Sequence, residues 1–252
     1  MRNIYLFGLF CLILLFGSYK SRGQSIQNAD VMNMNDIIEA KEASNDNLIE
    51  VDYSNHKDIL NILTILSANS MGTWEWSERE RKEFVDYIEK KNAAKSKIIE
   101  NDLEGTFTIR EIKANTIGIQ IIDGYWTLSI YKIKTENYIV ITNDMVGDGN
   151  DINAYEYIDG TLNGIKLEDL FGDYFLELLI DVERMECVTL LEDYKIVCLY
   201  NFSDTEKVVI SCAYYLSEED SEGCFKGNTL FYKFDSEKKK FILEKIEWMV
   251  SD

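Results

Sequence analysis

The chain has 252 residues, and its 45 aspartates and glutamates outweigh 26 lysines and arginines to a formal net charge of −19 at pH 7. A surface of that sign repels nucleic acid phosphates and anionic membranes, and it favours cations and basic proteins. With a single histidine, His56, and no proline, a histidine-activated nucleophile has one residue to draw on, and no Pro-rich linker divides the chain.

At the N-terminus, Arg2 precedes an apolar run from Ile4 to Phe16. The run is shorter than the roughly 20 residues a spanning helix needs, and it follows a basic residue, as in a secretory signal peptide. Ser21 and Gly23 are small residues at the minus-three and minus-one positions of a cut before Gln24. Residues 1–23 are therefore expected to be removed on export, leaving no transmembrane segment in the mature chain. The expected location is the periplasm, the cell envelope or the outside of the cell. Loss of Arg2, Lys20 and Arg22, and of no acid, takes the formal charge from −19 to about −22.

Residues 24–53 are polar and weakly periodic and read as a flexible leader. Residues 54–252 read as a single α+β domain, with a composition break near Leu167 as a candidate sub-boundary. Ile59, Ile62, Leu63 and Leu66 form one apolar helical face. Ser77 and Glu80 have the spacing of a capping box, in which serine and glutamate satisfy each other's backbone amides. The helix it opens runs to about Asn92, with Phe84, Tyr87 and Ile88 inward.

Strands follow. Thr106–Lys113 alternates. The stretch from Ile117 to Ile130 reads as a hairpin about Asp123-Gly124, a dipeptide suited to the positive φ angles of a two-residue turn. This register pairs Ile121 with Trp126, Ile119 with Leu128 and Ile117 with Ile130 on one apolar face. Gly118, Ser129, Gln120 and Thr127 lie on the other, which is expected to face water. Tyr138–Thr142 is a strand, Asn143–Asp151 a loop, and Ile152–Ile158 and Thr161–Leu167 flank a turn at Asp159-Gly160. Leu167–Leu179 reads as a helix weakened by Gly172. Two further hairpins join Tyr194–Phe202 to Lys207–Leu216 and Thr229–Asp235 to Lys240–Trp248. The expected fold is α+β, an N-terminal helix pair followed by antiparallel β-meanders with one intervening helix.

Four cysteines lie beyond the signal peptide. Setting Cys198 opposite Cys212 also pairs Tyr200 with Ile210 and Phe202 with Val208, a coherent apolar face that brings the two sulfurs within cross-strand reach. Cys187 is then left for Cys224, and two bridges suit an exported chain.

The segment from Asn143 to Asp151 gathers Asp144, Asp148 and Asp151 among glycines, the oxygen-rich, pliable composition that calcium favours. It departs from the calcium-loop pattern at Val146 and Tyr155. Trp74 and Trp76, beside the capping box, are expected to anchor the helix on the sheet, and Ser217–Gly223 reads as a solvated acidic loop. No G-x-S-x-G, P-loop, G-x-G-x-x-G, H-E-x-x-H or C-x-x-C occurs, so no catalytic residue and no cofactor is assigned. The expectation is an exported, non-catalytic protein-binding protein, such as an immunity or inhibitor protein against a basic partner. A calcium-dependent binding module is the first alternative. A carboxylate-based hydrolase of surface glycans, for which no pair of acids is nominated, is the second.

Overall fold

The computed structural model describes residues 48–249 apart from 73, 75, 101, 104–106, 123, 148, 173–174, 194–195, 197, 213–217 and 219–222. The signal-peptide reading of residues 1–23 lies outside the described residues. The fold is α+β and mostly β, with antiparallel sheets.

Seven strands form the central sheet in sequential order: β3 (Asp102–Leu103), β4 (Phe107–Ile112), β5 (Thr116–Ile121), β6 (Gly124–Lys134), β7 (Asn137–Val146), β8 (Gly149–Ile158) and β9 (Thr161–Ile165). A four-stranded sheet follows, again in sequential order: β10 (Cys198–Asn201), β11 (Lys207–Cys212), β12 (Thr229–Asp235) and β13 (Lys240–Glu247). A small ribbon pairs β1 (Leu48–Glu50) with β2 (Ile98–Glu100). The stretch read as a leader over 24–53 thus ends in structure, because Val51 is buried and Asp52 caps the next helix by accepting from the Ser54 amide.

Both faces of the central sheet are buried, and strand alternation sorts its side chains between two cores. Ile117, Ile119, Trp126, Leu128, Tyr138 and Val140 face α1 (Tyr53–Ile65) and α2 (Glu78–Ala93). Tyr131, Ile139, Ile141 and Ala154 face the four-stranded sheet and α3 (Leu167–Phe171). This double burial explains the unbroken apolar run of β7, since a strand covered on both sides has no wet face to alternate with. Among the described residues, no helix is long and apolar enough to cross a membrane.

On the helical face, Ser77 and Glu80 form the reciprocal capping box at the start of α2. Arg81, buried four residues on, donates to the carbonyls of Leu63, Leu66 and Trp76. Two of these carbonyls are at the C-terminal end of α1, where helical partners run out.

Four local expectations are corrected. The β5–β6 register closes on Ile121 with Gly124, two residues from the expected one, so Ile119 opposes Trp126 and Ile117 opposes Leu128. A slide of two keeps every side chain on its face. The cause is Gly124: a Cβ there would stand 2.3 Å from the Met145 carbonyl, so the glycine serves the approach of β7. The expected helix over Leu167–Leu179 breaks after α3, where Gly172 takes φ +87, and resumes only as a 3-10 turn over Phe175–Leu179. The expected loop over Asn143–Asp151 is mostly strand, with β7 and β8 paired as far as Val146 and Gly149. Finally, a helix unforeseen in the sequence, α4 (Met185–Asp193), precedes β10.

Candidate functional site

The polar face of the β5–β6 hairpin does not meet open water, and this is the main departure from the sequence reading. Ser129 and Thr116 are 0% and 1% exposed. Above them passes the segment after β10, pinned from three sides. The Tyr131 hydroxyl donates to the Phe202 carbonyl at 3.0 Å, and Asn115 and Thr116 each reach the Ser203 carbonyl at 3.4 Å. Burial pushes the Tyr131 phenol well above its ordinary range, so it stays a donor.

Between sheet and segment lies a cleft of about 230 Å³. Its floor carries Thr116, Thr127 and Ser129, with Tyr125 and Met145 beside them, and Tyr200 to Ser203 form the opposite wall. A β-bulge between Ile109 and Glu111 turns Glu111 toward the cleft while keeping Ile109 and Ile112 in the helical-face core. Lys113 holds the Glu111 carboxylate at 2.6 Å. Tyr125 lies across Gly118: a Cβ on Gly118 would stand 2.0 Å from the Tyr125 hydroxyl oxygen, so only glycine lets the ring rest there. Burial, then Glu111, raises the Tyr125 phenol, and burial raises Tyr200. Both are hydrogen-bond donors at neutral pH.

On the same face Asn143 stands directly opposite Thr127 on β7, wholly buried, and neither of its carboxamide atoms has a protein partner. A buried polar group left in that state costs about 1–3 kcal/mol. Its neighbour Asn150 donates to the Cys198 carbonyl at 2.8 Å and so ties β8 to β10.

The other sequence-nominated residues are dispersed. Asp144 and Asp151 stand directly opposite each other on β7 and β8. Asp144 is buried with its carboxylate against Gly72, and Asp151 is exposed. Asp148 lies outside the described residues. Among the described residues, no three His, Cys, Asp or Glu side chains gather as a metal-holding group. Cys187 and Cys224 lie at disulfide distance with Cα atoms 5.0 Å apart, and Cys198 and Cys212 with Cα atoms 4.1 Å apart, directly opposed on β10 and β11. Trp76 packs on Phe84 of α2 and Phe107 of β4, and Trp74 packs edge-on to Trp126. His56 is half-buried in the first turn of α1, and burial lowers its pKa. Of the acidic loop Ser217–Gly223, Glu218 and Gly223 are described, and both are exposed.

A second feature had no signal in the sequence beyond scattered apolar residues. Leu178, Val182 and Met185 are 38%, 52% and 71% exposed in one short stretch. Glu177, Glu183 and Glu186 lie among them, also exposed. The adjoining Cys187–Cys224 pair and the antiparallel bridge between Ile180 and Phe225 fix this stretch to the rest of the fold.

Neither a family model nor a curated protein matches the chain. Among solved structures, the fold is similar to a domain of an uncharacterised protein from Porphyromonas gingivalis W83, at 13% identity and a TM-score of 0.50. The match covers 74% of this chain and 98% of that one. At this identity the likeness is one of fold alone.

Proposed function

We propose that the protein is an exported, non-catalytic binding protein that docks a basic partner protein through the stretch from Glu177 to Glu186. The observation that carries this reading is the exposed apolar trio Leu178, Val182 and Met185 set among Glu177, Glu183 and an Arg184–Glu186 ion pair, in a stretch of net negative charge. Solvent-exposed apolar groups rimmed by charge are the ordinary makeup of a protein interface, and methionine suits an adaptable one. A formal charge of −19 selects for a cationic partner and speeds its capture. The signal-peptide pattern at the N-terminus and two cysteine pairs at disulfide distance support an oxidising, extracytoplasmic setting. An immunity or inhibitor role against a basic toxin or enzyme is the specific form of this reading.

The test is capture of partners by the purified protein at low and high salt, beside a Val182→Glu/Met185→Glu variant and a charge-matched control protein. A basic partner retained by the wild type, released by salt and lost with the double variant supports the proposal. Equal capture by the variant or by the control contradicts it.

One observation favours calcium binding as a second reading: Asp144 and Asp151 oppose each other across β7 and β8. Two carboxylates brought together on adjoining strands are oxygen ligands of the kind calcium takes. Titration calorimetry with calcium decides it, and silence up to millimolar concentrations removes the reading. For the glycan-hydrolase alternative, the inter-sheet cleft places one carboxylate, Glu111, among its described lining residues, and the two-carboxylate mechanism uses a pair.

A further inference from the structure

We infer that the cleft between the two sheets is a binding site for a single neutral sugar ring. The inference is independent of the protein-docking stretch and rests on other residues.

The chemistry of the walls selects the ligand class. Thr127 presents a hydroxyl that can donate and accept, beside the buried pair Thr116 and Ser129, of which Thr116 already donates to the Ser203 carbonyl. Tyr125 and Tyr200 add two flat rings with protonated hydroxyls. Alternating C–H faces and hydroxyl edges are what such a surface complements, because aromatic rings take the apolar faces of a ring and hydroxyls take its edges. No lysine or arginine lines the cleft among the described residues, so a phosphate or a free carboxylate would lack a counter-charge. The carboxylate in the lining, Glu111, is an acceptor for ligand hydroxyls, and its ion pair with Lys113 holds it in place.

Size narrows the class further. A volume of about 230 Å³ has room for about seven waters. It falls below the range of roughly 300–1,000 Å³ typical of sites for drug-sized ligands. One ring fits and a chain does not, so an oligosaccharide would enter by one terminal residue. A peptide strand would instead need an open sheet edge or a longer groove.

Two features show that the site is built. Gly118 is the one residue that lets Tyr125 lie on the floor, since any Cβ would collide with its hydroxyl. Asn143, directly opposite Thr127 and on the same face of the sheet, has neither carboxamide atom partnered within the protein.

Saturation-transfer NMR on the purified protein tests the inference, with glucose, galactose, mannose and N-acetylglucosamine as probes and inorganic phosphate and glycine as controls. At least one sugar is expected to bind in the millimolar range, and the controls are not. Thr127→Val keeps the side-chain shape and removes one hydroxyl. It should weaken that sugar about five- to tenfold, the loss of one hydrogen bond. Tyr200→Ala should abolish binding while circular dichroism stays native. Absence of binding by all four sugars overturns the inference. So does binding unchanged in both variants, or binding of phosphate as strong as that of any sugar.

Discussion

Replacing Arg81 by methionine should destabilise the protein by about 3–4 kcal/mol, the net of three lost charge-assisted hydrogen bonds and one relieved desolvation. Arg81 is 1% exposed and donates to the carbonyls of Leu63 at 2.9 Å, Leu66 and Trp76. Hydrogen bonds to a charged donor contribute about 1.5–3 kcal/mol each, so three give at least about 4.5. Against this stands the burial of the guanidinium, which lowers its pKa and offsets part of the gain. Methionine fills much of the aliphatic volume, so cavity formation adds little. Arg81→Lys keeps the charge, yet a compact ammonium cannot span three carbonyls in the plane of a fork, and it should cost about 2–3 kcal/mol. Equilibrium urea unfolding at neutral pH is the assay, with the loss read as a lower midpoint at unchanged slope. A methionine variant within about 0.5 kcal/mol of wild type would refute the reasoning, because the desolvation of Arg81 would then cancel all three bonds.

Three further outcomes are expected. Replacing Cys187 and Cys224 together by serine should cost about 4 kcal/mol, and Cys198 with Cys212 about 3, since the pairs close loops with separations of 37 and 14 residues. Thermal melts under oxidising and reducing conditions check this, and removal of the first pair should also weaken partner capture through Val182 and Met185. The folded pKa of His56 lies below its ordinary value because of burial, so the unfolded chain takes up the proton first. His56 therefore contributes stability above pH 6.5 that is lost as pH falls through its folded pKa, and His56→Gln should flatten the urea midpoint between about pH 7 and pH 5. Gly72→Ala should destabilise by about 2–3 kcal/mol in the same assay. It forces alanine to φ +68 and puts its Cβ 1.9 Å from the Asp144 carboxylate and 2.7 Å from the Asp144 Cβ.

Which face each β5–β6 residue presents was legible in the sequence, because period-two alternation survives a register slide of two. The slide itself was not, because Asp-Gly advertises a turn while Gly124 is required by the carbonyl of Met145, a residue of another strand. The same holds for layers. Nothing local in Thr116, Thr127 and Ser129 distinguishes a solvated face from one covered by a second sheet, so the polar side of the hairpin read as wet and proved to be a cleft. The unbroken apolar run from Tyr138 to Ile141 in the adjoining β7 was the available clue, since a strand buried on both faces implies cover on both. The opposed cysteines on β10 and β11 were readable because one register made a whole face apolar. The docking stretch was not readable, since Val182 and Met185 carry no period that separates exposed from buried.

The central claim is that the stretch around Met185 contacts a partner protein, and site-directed photo-crosslinking in the producing cell tests it most directly. A photoreactive residue in place of Met185, 71% exposed, is compared with one in place of Ile242, 41% exposed on β13. The account predicts one dominant cross-linked basic protein from position 185 and none from position 242. Equal or absent cross-linking at the two positions would contradict it.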